Sequence, residues 1–310
     1  MSSPAKSSLF HYLEDEKSIS KRVGTAVPPL RVFTLRSLGL NTRQFLAYMC
    51  PTFSVLHMDP YDAKNKKIAF LKERCPEAGE RLNHFLGEYY ANHEDLDSIL
   101  DLIVRLTPKD LYEFDRIGLT GRRKRSIAKF ILLLLPDRQW KISRVPASAF
   151  KQNVGKNDTR SFTRVFDEAP EFVTEYPPMH HLMRCLACMV GELRPDARVL
   201  EMNLHQMFVF ADLMSNGENA PEGIHQDGSD YIVSALVMER ASIIGGESIV
   251  YGPDKQTEYL RRTLSEGEGI FQADKGSSLW HYVTPIEEDD RQTVKYGHRS
   301  ILGFDINIVQ

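Results

Sequence analysis

The chain has 310 residues, 42% of them hydrophobic and 26% charged, which is material for a large core and excludes a chain disordered throughout. Lys and Arg total 39 against 42 Asp and Glu, a net charge of −3, so no bulk basic field exists to grip nucleic acid or an anionic membrane. The start carries no apolar leader, the longest strongly apolar run (Phe130 to Leu135) is too short to cross a bilayer, and four cysteines are too sparse for a disulfide framework; a soluble, cytoplasmic protein is expected.

The first 25 residues, rich in Ser and Lys, read as a loose tail. From about Asn41 to Leu135 apolar residues recur at helical spacing, as in Leu82, Phe85, Leu86 and Tyr89 and again in Leu96, Ile99, Leu100 and Ile103. Residues 26–145 are therefore expected to form a helical N-terminal region. Within it, Thr107 followed by Pro108 and Asp110 reads as a helix start, with a hydroxyl to cap, a proline in the first turn and an acid against the dipole. Arg122-Arg123-Lys124-Arg125 reads as the solvated edge of a following apolar helix and is given no role.

A polar stretch after Pro146 marks a boundary near residue 145, and one more helix is expected at about 179–193. Beyond it strands are expected at Val199–Phe210, Tyr231–Met238, Ser248–Tyr251, Gly269–Gln272, Leu279–Val283 and Arg299–Ile308. Helices first and sheet second give an α+β fold, with 146–310 as the sheet domain. In the last strand Leu302, Phe304, Ile306 and Ile308 alternate with Ile301, Gly303, Asp305 and Asn307, so one face is apolar and the other small or polar, and Arg299 shares the second face.

The segment Gly223-Ile224-His225-Gln226-Asp227-Gly228 holds the most informative chemistry. Residues two apart in an extended backbone project to one side, so His225 and Asp227 can offer a nitrogen and a carboxylate oxygen to one metal. His281, at a strand end further on, supplies a third donor, completing a two-histidine, one-carboxylate facial triad of the kind that binds iron and leaves positions open for a bidentate cosubstrate and O2. Arg299 offers a guanidinium fork on a strand face lined by small groups, suited to the remote carboxylate of 2-oxoglutarate. This order of HxD, a Gly-Gly region, a strand-borne His and an Arg on the last strand suits a double-stranded β-helix of the jelly-roll or cupin type.

These residues resemble the 2-oxoglutarate/Fe(II) dioxygenases that act on free L-amino acids, the isoleucine dioxygenase-like enzymes. The likeness rests on Leu204-His205-Gln206, His225-x-Asp227, Gly245-Gly246-Glu247, His281-x-Val283-Thr284-Pro285, Arg299 and an earlier Arg160-Ser161-Phe162-Thr163-Arg164, and it covers about 155 to the end. It implies Fe(II), 2-oxoglutarate and O2 as the reacting partners, with Gln206 and Thr284 beside Arg299 at the cosubstrate. It also implies a small amino-acid substrate whose carboxylate meets Arg160 or Arg164. The family pattern carries an Arg where this chain has Phe208, so Phe208 and Ile301 are expected to form an apolar wall for an aliphatic side chain. Hydroxylation is the expected outcome, with ring closure such as aziridine formation from L-valine as an alternative. The helical region is expected to cover the barrel, shape a lid or form a homodimer.

Other readings stand beside this one. A cupin-like barrel can serve as a binding protein without catalysis, and a protein-modifying hydroxylase would need an open groove. Cys185 and Cys188 with His180 and His181 have metal-ligand chemistry, but they share one amphipathic helix with no second CxxC, which favours core packing.

Overall fold

The computed structural model describes residues 9–117, 121–147, 149–155, 158–212, 215–289, 291 and 296–310. Where a loose tail is expected, helix α1 (Glu16–Val23) forms instead. Its Asp15 side chain accepts from the Ser18 backbone while the Ser18 hydroxyl accepts from the Asp15 backbone, and Gly24 closes it at φ 73°. Ile19 anchors it by full burial; residues 1–8 lie outside the described residues.

Strand β1 (Leu30–Thr34) follows, then helices α2 (Thr42–Met49), α3 (Tyr61–Arg74), α4 (Gly79–Tyr90), α5 (Leu100–Ile103) and α6 (Pro108–Ile117). The helical spacing read from the sequence is realised here: Ile68, Leu71, Leu82, Phe85, Leu86, Ile99, Leu102 and Phe114 share one core cluster. The start at Thr107 is also as expected, its hydroxyl accepting from the Asp110 backbone at 3.2 Å.

The helical pattern does not extend to Leu135. Residues 123–134 form a long strand, β2 (Arg123–Leu134), paired with β3 (Trp140–Val145). Its run from Phe130 to Leu134 is apolar at every position although the structure buries only Phe130 and Leu132 fully and leaves Leu133 exposed, and a run without polar alternation has no period by which to separate strand from helix. After α7 (Glu171–Thr174), the expected helix appears as α8 (Pro177–Leu193). The remaining strands are β4 (Val199–Ala211), β5 (Tyr231–Ala241), β6 (Ile243–Gly245), β7 (Ser248–Tyr251), β8 (Glu258–Arg262), β9 (Glu268–Ala273), β10 (Trp280–Val283), β11 (Ile286–Glu288) and β12 (Gly297–Ile308).

Seven strands form one antiparallel sheet in the order β1-β9-β5-β12-β4-β2-β3; β10-β7-β8 form a second sheet, and β11 pairs with β6. Three of the seven strands come from before residue 146, so the boundary expected near 145 does not divide the sheet from what precedes it. The outer face of the large sheet packs on α8: Leu302, Phe304 and Ile306 join Met179, Leu182, Met183, Leu186 and Met189 in one core. Cys185 belongs to that core and Cys188 packs against it. The inner face meets the small sheet, where Val250 and Leu260 pack on Ala235, Val237, Ile270 and Ile301. Helix and antiparallel sheet thus combine in an α+β fold, and no described helix is long and apolar enough to cross a membrane.

Candidate active site

Between the inner face of the large sheet and the small sheet lies a cavity of about 420 Å³. Strand periodicity decides what lines it. On β12, Arg299, Ile301, Gly303 and Asp305 face inward, opposite the core-facing Leu302 and Phe304, as the alternation in the sequence predicts.

His225 and His281 are brought side by side by a backbone bridge in which each N–H donates to the other's carbonyl at 3.0 Å. Their rings sit 4.2 Å apart between centroids. Asp227, two residues on, turns its carboxylate between them, 3.5 Å from His225 Nε2 and 3.3 Å from His281 Nε2. One donor atom from each of the three lies within 4.8 Å of the others. The Nδ1–H of His225 donates to the Gly223 carbonyl at 2.7 Å, which turns Nε2 toward Asp227 and makes it the nitrogen the neutral ring would offer to a metal. Burial opposes charge on His225, but the hydrogen bond and charge of Asp227 outweigh it and push the imidazole up to about 9. Burial likewise opposes the Asp227 carboxylate, yet the two imidazoles hold it well below the usual carboxylate range. Behind them Asp274, fully buried, accepts the backbone N–H groups of Asp227, Gly228 and Ser229 and pins the loop.

Gln152 donates to Asp227 Oδ1 at 2.8 Å and accepts from Arg164 Nη2 at 2.6 Å. Gly228 permits this approach: at φ +87°, a Cβ there would stand 2.4 Å from the Asn153 carbonyl oxygen. Arg160 grips Asp158 through Nε and Nη2 and reaches Asp227 Oδ1 at 3.5 Å.

Arg299 has no solvent exposure, donates through Nη1 to Asn219 at 3.2 Å, and leaves Nε and Nη2 buried without a partner among the described residues. Burial, then the neighbouring charge of Arg240, lowers it to about 9. Buried N–H groups of a guanidinium left unmade are costly, and a carboxylate is the acceptor that satisfies a fork of this shape.

Arg160, Arg164 and Ile301 line the cavity as expected, but three other residues do not. Gln206, fully buried, points through the opposite face of β4, accepting from the Ser126 hydroxyl and donating to Thr52. Phe208 lies on that same outer face, stacked on His298 at 4.9 Å. The Thr284 hydroxyl accepts from the Glu247 backbone in a turn. The residues of β4 that face inward are His205 and Met207, one step out of phase with the pair expected.

Also on the cavity wall, and absent from the sequence reading, are Arg123 and Arg125 of β2. Far from edging a helix, they alternate inward along a strand while Lys124 faces out over Phe208. Arg123 is neutralised by Asp59 and Asp62 of the α3 segment, at 2.9 and 3.0 Å. Arg125 Nη2 donates to His205 Nδ1 at 2.9 Å, and His205 Nε2–H donates to Asp305 at 3.1 Å. Burial, reinforced by the charge of Arg125 against the pull of Asp305, lowers the His205 imidazole, and a ring that accepts from Arg125 at Nδ1 while donating from Nε2 is the neutral form. Tyr61, Asp62 and Tyr90 bring α3 and α4 into the wall.

Residues 107–305 match the family described as 2OG-Fe dioxygenase. The chain belongs to that family. It is an enzyme of the Fe(II)/2-oxoglutarate-dependent oxygenase class, for which Fe(II), 2-oxoglutarate and O2 are the reacting partners. The donor chemistry of the His-Asp-His cluster and the unpartnered buried fork of Arg299 fit an iron ion and a dicarboxylate. Among curated proteins, none matches the sequence. A solved bsmA homolog from Methylobium petroleophilum PM1 is 17% identical with a TM-score of 0.64, covering 96% of this chain and 94% of its own, a likeness of fold. IDO from Bacillus thuringiensis is 16% identical with a TM-score of 0.48, over 61% of this chain and 76% of its own. The Fe(II)/(alpha)ketoglutarate-dependent dioxygenase TqaL is 14% identical with a TM-score of 0.43, over 79% and 89%.

Proposed function

We propose that this oxygenase oxidises a C–H bond of a small, free, aliphatic L-amino acid, hydroxylation being the default outcome, inside a double-stranded β-helix made by the two facing sheets. In this reading His225, Asp227 and His281 hold Fe(II), and Arg299 holds the distal carboxylate of 2-oxoglutarate. When bound, iron and 2-oxoglutarate together supply an oxidant from O2 strong enough to take hydrogen from a C–H bond, with 2-oxoglutarate ending as succinate and CO2. The chain's own groups do the positioning. The Gly223 carbonyl fixes the His225 ring, Gln152 and Arg160 orient the Asp227 carboxylate, and Asp274 braces the loop that carries it.

One observation carries the substrate assignment. Arg164 is buried on the cavity wall and its side chain meets the Gln152 amide rather than a carboxylate. Burial, then the charge of Arg125, lowers it to about 10. A free carboxylate satisfies such a cation, while Met207, Val233, Val283 and Ile301 on the same wall suit a branched aliphatic side chain. Arg160, the other arginine expected at the substrate, is engaged by Asp158 and Asp227 and serves the iron-binding carboxylate.

The test is incubation of the Fe(II)-loaded enzyme with a panel of free amino acids and 2-oxoglutarate, read by mass spectrometry and succinate release. Several branched aliphatic amino acids should gain one oxygen at different rates, because an apolar pocket discriminates a methylene by only about 1–3 kcal/mol. Oxidation of peptides alone would overturn the assignment.

A further inference from the structure

The arginines around the cavity differ in how their charge is balanced. Arg123 meets Asp59 and Asp62, and Arg160 meets Asp158 and Asp227. Arg125 and Arg164 meet no carboxylate among the described residues: their side-chain partners are the neutral His205 ring and the Gln152 amide. Each also keeps a buried Nε–H with no acceptor among the described residues.

These two cations are neighbours. Both guanidiniums lie over the same pair of rings, Arg125 at 5.8 and 4.7 Å and Arg164 at 5.2 and 5.7 Å from the centroids of Phe150 and Phe166. Two like charges held together out of water are costly unless an anion joins them. Both line the cavity that contains the His-Asp-His cluster.

We propose that Arg125 and Arg164 form a two-guanidinium clamp for the substrate's carboxylate, with His205 and Asp305 as positioning residues that hold Arg125 to it. The proposal rests on the amino-acid reading above and names the group that reading must engage. His205 suits the task because its Nδ1 accepts from Arg125 only while the ring is neutral, and Asp305 fixes that tautomer from the far side. Arg299, whose fork lies apart on β12 with Asn219, is left to the cosubstrate.

The experiment uses full-length protein loaded with redox-inert Zn(II) and saturated with 2-oxoglutarate, titrated calorimetrically with L-leucine, 3-methylbutanoate and its uncharged isostere 3-methylbutanamide. The two carboxylates should bind and the amide should not. Arg125→Met and Arg164→Met should each weaken carboxylate binding by roughly 10-fold or more, the scale of a lost charge-assisted hydrogen bond, and leave 2-oxoglutarate binding unchanged. Arg125→Lys, which keeps the charge without the fork, should fall between, and His205→Phe should weaken carboxylate binding without touching the ligand directly. Equal binding of acid and amide to the wild type overturns the clamp even if the methionine variants fail to fold. So does loss of 2-oxoglutarate binding in place of probe binding, or a wild type that binds neither carboxylate. If 3-methylbutanoate binds in this arginine-dependent way and no free amino acid does, the clamp stands and the amino-acid reading falls. If L-leucine binds all variants equally, the reverse holds.

Discussion

At the scale of single residues, the role proposed for Arg299 rests on its burial. It is fully buried, yet only one of its nitrogens has a partner. Nothing about stability calls for that arrangement, since an apolar residue would fill the place at lower cost; a carboxylate ligand does. Lysine would keep the charge and lose the planar fork. Arg299→Lys should therefore raise the 2-oxoglutarate concentration for half-saturation by about 10-fold or more while iron content stays at the wild-type level. Unchanged 2-oxoglutarate dependence in Arg299→Ala would contradict this role. The inward placement of Arg299 was readable because β12 alternates from Leu302 onward, with apolar residues at even positions and small or polar ones at odd positions, and Arg299 shares the odd parity. Along β4 the same rule was available: Leu200, Met202 and Leu204 are apolar at even positions, which sends Gln206 and Phe208 to the core side and His205 inward. The motif likeness drew attention to Gln206, and the parity argument, applied to this strand, corrects it.

At the scale of elements, two short approaches of backbone hold the site. The Gly245-Gly246 pair has positive φ at both residues, and a Cβ on Gly246 would come within 3.3 Å of Arg299 Cδ, so the missing side chain makes room for the guanidinium stem. Gly228 does the same for Gln152 and Asp227. Substituting Gly228 by Ala adds left-handed strain to a clash with the Asn153 backbone. We expect it to cost about 2 kcal/mol or more of stability in urea unfolding and to weaken iron binding through loss of the Gln152 contact. Gly24→Ala, at φ +73° with nothing within 4 Å of the added carbon, should cost only about 1 kcal/mol and leave iron binding alone. Equal effects of the two changes would contradict the crowding argument. Arg123 and Arg125 were missed at this same scale. The run from Phe130 to Leu135 is apolar at every position even though one of its faces is only partly covered and Leu133 is exposed, so the basic residues before it read as a helix edge rather than as inward-pointing positions two apart.

At the scale of the whole molecule, the N-terminal part does not stand beside a self-sufficient barrel. It gives β1, β2 and β3 to the seven-stranded sheet, and it gives Tyr61, Asp62 and Tyr90 to the cavity wall. Contacts of this kind join residues far apart in the chain, as Arg123 joins Asp59 and the Tyr61 hydroxyl joins Val165, and neither composition nor local period encodes them. The meeting of His225, Asp227 and His281 was legible because it is local in part: His225 and Asp227 sit two apart, and His281 needed only a strand to carry it. The central claim is that these three residues together hold the iron. Its most direct measurement is the iron content of the wild type and of His225→Ala, Asp227→Ala and His281→Ala after anaerobic equilibration with Fe(II) and desalting, with folding checked by circular dichroism. We predict about one iron per chain for the wild type and less than about a tenth of that for each folded variant; full iron content in any one of these folded variants would contradict it.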